Sequence, residues 1–108
     1  MAVNDSTIAD NTARDHGGGA TNADGGRLTF NDGTLRNNSA GLLAGGIYNV
    51  NPGSVLVLNI SRVTRNTAGA APGGVFNGAG STVVNKQTVI RENAPTNCSP
   101  SDVPGCTG

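Results

Sequence analysis

Short apolar segments recur along the chain at a nearly constant interval, separated by Gly, Asn, Asp and Pro. One type begins with an aliphatic residue and carries Asn three positions later. It occupies residues 8–13, 35–40, 63–68 and 90–95. A Gly-Gly pair opens a second type, and an apolar run at residues 28–30, 56–58 and 83–85 forms a third. Each type returns after 27 or 28 residues, and an internal repeat of this kind determines the architecture.

The spacing of apolar residues within the segments predicts strands. Leu56, Leu58 and Ile60 follow the period of two that is typical of a strand, and the Gly-rich breaks exclude helices of useful length. Such short strands are not stable alone, but stacked repeats would pair each strand with its equivalent and bury a continuous core. The sequence therefore predicts an all-β parallel β-helix (solenoid) of about four coils. We expect it to be right-handed by analogy with coils of this length.

The repeat also predicts the domain organisation. A chain of 108 residues allows one domain. We expect residues 1–97 to form the coils and residues 98–108 to form a C-terminal cap or tail. The predicted coils, with 27–28 residues in each complete one, span about residues 3–27, 28–55, 56–82 and 83–97.

Stacked repeats align equivalent residues in columns. Aliphatic columns, such as that of Ile8, Leu35, Val63 and Ile90, are predicted to form the core. Two Asn columns would form structural amide ladders that satisfy turn backbone groups, or, if they faced outward, a polar ligand-binding stripe. The ladders comprise Asn11, Asn38, Asn66 and Asn93, and Asn22, Asn49 and Asn77. The paired glycines indicate either positive φ or close backbone approach at a corner.

The two cysteines, Cys98 and Cys106, lie in the last eleven residues among Pro and Gly. This spacing favours a local disulfide that closes the tail, with a reactive thiol pair or half of a zinc site as alternatives. A disulfide persists in an oxidising compartment, so we expect a secreted or cell-surface protein. Because the N-terminal residues do not form an export signal, we expect the sequence to be the mature or C-terminal part of a longer chain, or one with an artificial start at Met1.

Charge excludes several classes of partner. Seven basic residues balance seven acidic ones, and charged residues make up only 13% of the chain, so we expect no nucleic-acid partner. No apolar run approaches the roughly 18 residues of a membrane span, so we expect no membrane insertion. Arg36 and Arg91 fall in one outward column, and Arg65 and Glu92 are neighbours in the next; we interpret all four as surface charge. The only histidine, His16, is expected in a solvent-exposed loop.

Many parallel β-helices cleave acidic polysaccharides, so paired carboxylates are the candidates for catalysis. Asp5 and Asp32 occupy equivalent positions in adjacent coils, where their side chains could lie within about 5–6 Å, near the separation that retaining glycosidases use. The same pair with neighbouring carbonyls could instead form a calcium site. Because the column continues as Ile60 and Gln87, we interpret it as a turn column and predict no catalytic residue and no cofactor, with calcium as the possible exception.

The repeats resemble those of known surface proteins. The aliphatic-x-x-Asn segments alternate with Gly-Gly-Ile-Tyr-Asn at residues 45–49 and Gly-Gly-Val-Phe-Asn at residues 73–77. This pattern resembles the repeats of polymorphic outer-membrane proteins of chlamydiae and, more closely, secreted right-handed β-helix repeat proteins of actinobacteria and other environmental bacteria. An aliphatic residue stands where the chlamydial pattern has Phe. The resemblance covers nearly the whole chain, includes a tail that looks like a terminal cap, and implies a cell-surface or secreted scaffold.

Together these features predict a non-catalytic extracellular β-helix module that acts as a structural or adhesive scaffold and contacts carbohydrate or the cell envelope. Tyr48 and Phe76, expected to stack and face outward, are the possible ligand surface. The alternative is a polysaccharide-active, lyase- or hydrolase-like domain, or a calcium-dependent carbohydrate-binding domain. The coil that begins at Val3 has no recognisable cap, so we expect either an end-to-end homodimer or a missing upstream segment.

Overall fold

A computed structural model describes residues 1–108 and contains fifteen short strands and no helix. The strands are β1 (Ala2–Asn4), β2 (Thr7–Ala9), β3 (Thr12–Ala13), β4 (Ala20–Asn22), β5 (Arg27–Asn31), β6 (Thr34–Arg36), β7 (Ser39–Ala40), β8 (Ile47–Asn49), β9 (Val55–Asn59), β10 (Arg62–Thr64), β11 (Thr67–Ala68), β12 (Val75–Asn77), β13 (Thr82–Lys86), β14 (Val89–Arg91) and β15 (Cys98–Pro100). The chain has no helix of the length and apolar character that a membrane span requires.

Four parallel sheets run along the solenoid; three of them take one strand from every turn, and the third sheet takes one from each of the first three turns. Their orders are β1-β5-β9-β13 in the first, β2-β6-β10-β14 in the second, β3-β7-β11 in the third and β4-β8-β12-β15 in the fourth. Leu35 pairs with Ile8 on one side and with Val63 on the other, in steps of 27 and 28 residues. The stacking confirms the predicted parallel β-solenoid of about four turns.

Each of the first three turns contains four strands, although the sequence suggests three apolar segments per repeat. The segment at residues 8–13 divides into β2 and β3, and a left-handed corner separates them. The corner residues are Asp10, Asn37, Arg65 and Glu92, with φ between 56° and 60°. Because side chains within one segment therefore belong to two sheets, the period-two pattern is interrupted there.

The core is a set of stacked aliphatic columns along the solenoid axis. Leu28, Leu56 and Val83 form one column, and Ala20, Ile47 and Val75 form another. In the middle turns the core side chains are inaccessible to solvent, as at Leu35 and Leu58. Burial of such aliphatic side chains is the main favourable term, about 1.5–3 kcal/mol each.

The paired glycines let successive turns approach closely. A Cβ on Gly46 would lie 2.5 Å from the Gly74 carbonyl oxygen, and a Cβ on Gly19 would lie 2.7 Å from the Gly46 carbonyl oxygen. Positive φ is not found at any of these positions. Of the two explanations for the pairs, close backbone approach is therefore the one that applies.

The first Asn ladder satisfies buried polar groups in every turn. Asn66 Oδ1 accepts hydrogen bonds from the backbone N–H and the Nδ2 of Asn38, both at 3.0 Å. Asn66 Nδ2 donates to Asn93 Oδ1 and to the Leu35 carbonyl, also at 3.0 Å each. Since Asn38 and Asn66 are completely buried, these amides face the interior and leave no outward stripe.

The second ladder is equally regular, and a third lies on the surface. Asn49 Oδ1 accepts from Asn22 Nδ2 at 2.9 Å, and Asn49 Nδ2 donates to Asn77 Oδ1 at 3.2 Å. The outer ladder was not identified from the sequence, and it comprises Asn4, Asn31 and Asn59, with Nδ2–Oδ1 distances of 2.8 Å. All three ladders bond one turn to the next through side chains.

The C-terminal segment completes both inner ladders. Asn97 Oδ1 accepts from the backbone N–H and the Nδ2 of Asn93 at 3.0 Å each, so Asn97 takes the place of an Asn in a further turn. The Asp102 carbonyl accepts from Asn77 Nδ2 at 3.1 Å. Buried amides without partners are costly. The C-terminal segment therefore stabilises the last turn by supplying acceptors for its buried Asn side chains.

A strand attaches the cap to the preceding turn, and a disulfide closes the loop within the cap. Strand β15 pairs in parallel with β12, and Cys98 is bonded to Cys106, as predicted. Val103 is buried against the core. At the position where earlier turns have an apolar residue, Asn85 donates to the Pro104 carbonyl at 2.8 Å. The last turn therefore has a polar side chain at a core position, where it forms a hydrogen bond with the cap.

Candidate functional site

The acidic pair considered for catalysis or calcium lies at two stacked corners. Asp5 and Asp32 directly follow β1 and β5, are exposed, and have φ of 48° and 55°. Asp tolerates this left-handed conformation better than most residues, so the backbone accounts for the pair. Ile60 and Gln87 continue the column. No group of three or more His, Cys, Asp or Glu side chains is arranged to hold a metal ion.

The aromatic residues considered as a ligand surface form a continuous stack with His16. The ring centroids of His16 and Tyr48 are 4.6 Å apart with an interplanar angle of 14°, and those of Tyr48 and Phe76 are 4.9 Å apart at 38°. The prediction of a solvent-exposed His16 is wrong: the side chain is half-buried, and its Nδ1 is buried without a hydrogen-bond partner. Stacking on Tyr48 holds the ring in place.

This stack restricts what the aromatic side chains can bind. His16, Tyr48 and Phe76 come from three successive turns, so the ring of Tyr48 has a neighbour on each face. A sugar ring that packs on an aromatic residue needs a free face. Tyr48 is half-buried, and its ring contacts within the stack leave no free face for a sugar.

A shallow groove crosses the outer face of the second sheet, over β6, β10 and β14. Its volume is about 450 Å³. We call it the arginine groove, and it is lined by Thr34, Arg36, Arg62, Thr64, Arg65, Val89, Arg91 and Glu92. Most of these side chains project from strand positions that alternate with the buried core residues Leu35, Val63 and Ile90. The strands that bury the core residues therefore also determine the positions of the groove side chains.

One acidic side chain partly neutralises the arginine groove. Glu92 Oε2 lies 3.2 Å from Arg65 Nε, and Glu92 Oε1 lies 3.8 Å from Arg91 Nε. These groups are more than half exposed, so each pair stabilises the fold by no more than about 1 kcal/mol. Arg36 and Arg62 form no ion pair within the chain. Their charges are available to a ligand.

From the sequence, four of the groove residues are placed in neighbouring outward columns but interpreted as surface charge, and Arg62 is not included. The zero net charge of the whole chain conceals the local excess of positive charge. Four of the seven basic residues line the groove, but only one of the seven acidic residues does. The positive charge is concentrated at the outward positions of the repeat. Arg36 and Arg91 occupy one row beside Thr64, and Arg62 occupies the other row between Thr34 and Val89. Adding the charges along each of these rows of equivalent residues, and not over the whole chain, would have revealed the basic groove.

Comparison with known proteins gives no family assignment. No family model matches the chain, and neither a curated protein nor a solved structure matches it. The function of this chain is therefore inferred from its surface geometry.

Proposed function

We propose that the chain is a non-catalytic extracellular β-helix module that acts as a structural or adhesive scaffold and contacts carbohydrate or the cell envelope. The observation that carries the proposal is the arginine groove, a shallow, mostly polar strip on the outer face of the second sheet. Enzymes and small-molecule sites usually bury most of their ligand in a cleft. An open strip instead suits a long ligand or a surface that the protein touches along one side.

The chemistry of the candidate residues supports a non-catalytic role. Glycoside hydrolysis generally uses two carboxyl groups that face each other across the scissile bond. The arginine groove has one carboxylate, Glu92, which is paired with Arg65. The other candidates, Asp5 and Asp32, lie at the corners that follow strands of the first sheet. Their left-handed backbone conformation explains why Asp occurs there. A polysaccharide-active or calcium-dependent domain stays the alternative hypothesis, to be tested with the assay below.

Localisation and kinship form part of the same proposal. The disulfide between Cys98 and Cys106 is compatible with an extracellular protein. The resemblance of the repeats to secreted bacterial β-helix proteins of the actinobacterial type, and to polymorphic outer-membrane proteins, points the same way. Both arguments support secretion or display at a cell surface.

We also retain the end-to-end homodimer as a prediction. Val3 and Ile8 pack against the core in the first turn but are only half-buried, and β1 has an unpaired edge. Light scattering over a range of protein concentrations tests this prediction. A molecular mass that rises towards twice 10.7 kDa with concentration would support it, and a constant monomer mass would contradict it.

A retention assay tests the proposed function. Fluorescently labelled protein is incubated with insoluble neutral and acidic polysaccharides and with isolated bacterial cell envelopes, and the bound fraction is measured beside the release of reducing ends. We expect the folded, oxidised chain to be retained and to release no sugar. The reduced, alkylated and heat-treated chain is the control and should be lost in the wash. Absence of retention on every surface would overturn the proposal, and release of products would make the protein an enzyme.

A further inference from the structure

The arginine groove has the charge and the dimensions of a binding site for a chain with several anionic groups. Arg36 and Arg91 lie two strands apart in one row, which places their Cα atoms about 10 Å from each other. Arg62 lies on the strand between them, two residues back along β10, or about 7 Å along the strand. The three Cα atoms therefore form a triangle that spans three neighbouring strands. A polymer with several anionic groups can contact all three arginines at once along this face.

The side chains between the arginines match the remaining surface of a sugar polymer. Thr34 and Thr64 are half-buried and bring hydroxyl groups into the groove, where they can exchange hydrogen bonds with sugar hydroxyls. Guanidinium groups bind carboxylate and other oxyanions through two parallel hydrogen bonds. The combination of cationic and neutral polar side chains suits a ligand in which anionic groups alternate with hydroxyls.

We propose that the arginine groove binds an acidic polysaccharide, a glycan with carboxylate or sulfate groups, through Arg36, Arg62 and Arg91. This inference rests on the proposed function, because it names the ligand class for the same outer face. Glu92 acts against this binding, since its carboxylate lies within 3.8 Å of Arg91 and repels an incoming anion. Single-stranded nucleic acid fits less well, because such sites combine a basic groove with aromatic stacking platforms. The aromatic stack here belongs to the fourth sheet.

The test compares matched polymers on the folded, oxidised chain. Dextran sulfate and neutral dextran share a backbone and differ in charge, polygalacturonate presents carboxylates, and oligo-deoxythymidine presents phosphates with bases. Affinities are measured by calorimetry at low and at physiological ionic strength. We expect binding to dextran sulfate and polygalacturonate that weakens with salt, and none to dextran.

Two double variants separate the groove from general charge. Arg36→Gln/Arg62→Gln should weaken binding to the acidic polymers at least about tenfold, because hydrogen bonds to charged groups are lost. Arg27→Gln/Lys86→Gln removes the same charge from exposed positions on the first sheet and should change the affinity less than about twofold. Equal losses in the two variants would overturn the proposal, because net charge alone would then explain binding.

A gain-of-affinity variant provides a test that does not depend on loss of binding. Glu92→Gln removes the competing carboxylate and should strengthen binding to dextran sulfate about twofold or more. Glu92 has φ of 59°, and Gln87 has φ of 60° at another corner, so Gln is compatible with this conformation. Unchanged or weaker binding by Glu92→Gln would contradict the assignment of the groove.

The outcomes distinguish the two proposals. Binding of neutral and acidic polymers with equal affinity would overturn the acidic ligand but leave the adhesive function intact. Binding of oligo-deoxythymidine as tight as that of dextran sulfate would overturn the glycan in favour of nucleic acid. Failure to bind any polymer, together with no retention on cell envelopes, would overturn both.

Discussion

The first and last turns of the solenoid carry Ile at the same core position but bury it to different extents. Ile90 in the last turn is 6% exposed, whereas Ile8 in the first turn is only half-buried. The two residues belong to one column, with Leu35 and Val63 fully buried between them. The difference therefore comes from what covers each end and not from the residues themselves.

The same comparison applies to hydrogen bonds. At the C-terminal end, Asn93 is buried and donates twice to Asn97 in the cap. At the N-terminal end, Asn11 also donates twice to Asn38, from its backbone N–H and its Nδ2, but Asn11 is exposed and its Oδ1 accepts no hydrogen bond from the chain. A solenoid of this kind thus needs acceptors at one end of its inner ladders, because each Asn donates towards the following turn. Water can satisfy the exposed end.

The largest expected difference between the ends is in the ladder. Asn93→Ala leaves the buried backbone N–H and Nδ2 of Asn66 without an acceptor, and should lower the free energy of unfolding by about 3–4 kcal/mol. Asn11→Ala removes one exposed donor and should cost less than about 1 kcal/mol. Urea denaturation of both variants measures the difference. Equal losses would contradict the ladder as the cause, because the Asn11 side chain is not an acceptor for any other residue of the chain.

The apolar column should show a smaller contrast. Ile90→Ala leaves a cavity beneath the cap and should cost about 3 kcal/mol, while Ile8→Ala, in a half-buried site, should cost about half as much. Thermal melts of the two variants give the ranking. If Ile8→Ala is as costly as Ile90→Ala, the first turn must be covered in solution, which the proposed homodimer would explain.

Loss of the disulfide should weaken one end only. Cys98→Ser/Cys106→Ser frees a loop with a sequence separation of 8, and the chain-entropy estimate is about 2–3 kcal/mol. Amide hydrogen exchange can locate the effect. The N–H of Val75, which donates to the Asn97 carbonyl, should exchange faster, and the N–H of Ala20, which donates to Gly46, should not change. Faster exchange at both sites would indicate global destabilisation.

The smallest expected effect concerns a corner column that differs between the two halves of the chain. Asp5 and Asp32 occupy it in the first half, but Ile60, a β-branched residue that is 64% exposed, adopts φ of 48° in the second. Ile60→Asn should relieve this strain and stabilise the fold by about 1 kcal/mol.

The reciprocal variant, Asp32→Ile, is the control for that corner. It should destabilise the fold by a similar amount, because it places a β-branched side chain at φ of 55°. Chemical denaturation of the two variants should give shifts of opposite sign. Shifts of the same sign would show that side-chain contacts, and not backbone strain, decide the choice of residue at the corner.

The sequence was sufficient to predict the architecture, because the repeat aligns residues in columns without any knowledge of their contacts. Leu35 pairs with Val63 and Cys98 with Cys106, as the spacing indicated. The position of His16 could not be predicted in this way. It occurs once, so the repeat provides no column for it, and its place depends on how Tyr48 packs over the preceding turn.

The candidate site was harder to predict for a different reason. Repeats identify residues that recur in every turn, whereas the arginines of the groove do not: Arg36 is followed in its row by Thr64, and Arg62 follows Thr34. Functional surfaces on repeat scaffolds form where the outward residues depart from the repeat. Those departures carry no periodic signal, and their meaning becomes visible only when neighbouring rows are placed side by side.

The cap contacts only the last member of each inner ladder, Asn93 through Asn97 and Asn77 through Asp102. Termination is thus independent of length. Duplication of one internal turn would insert another donor and acceptor into each ladder and lengthen the solenoid by about 4.8 Å, while the cap would meet an unchanged surface. A gene that encodes such a chain can gain or lose whole repeats while the same cap still fits the last turn. The length of the outer faces can therefore evolve separately from the stability of the fold.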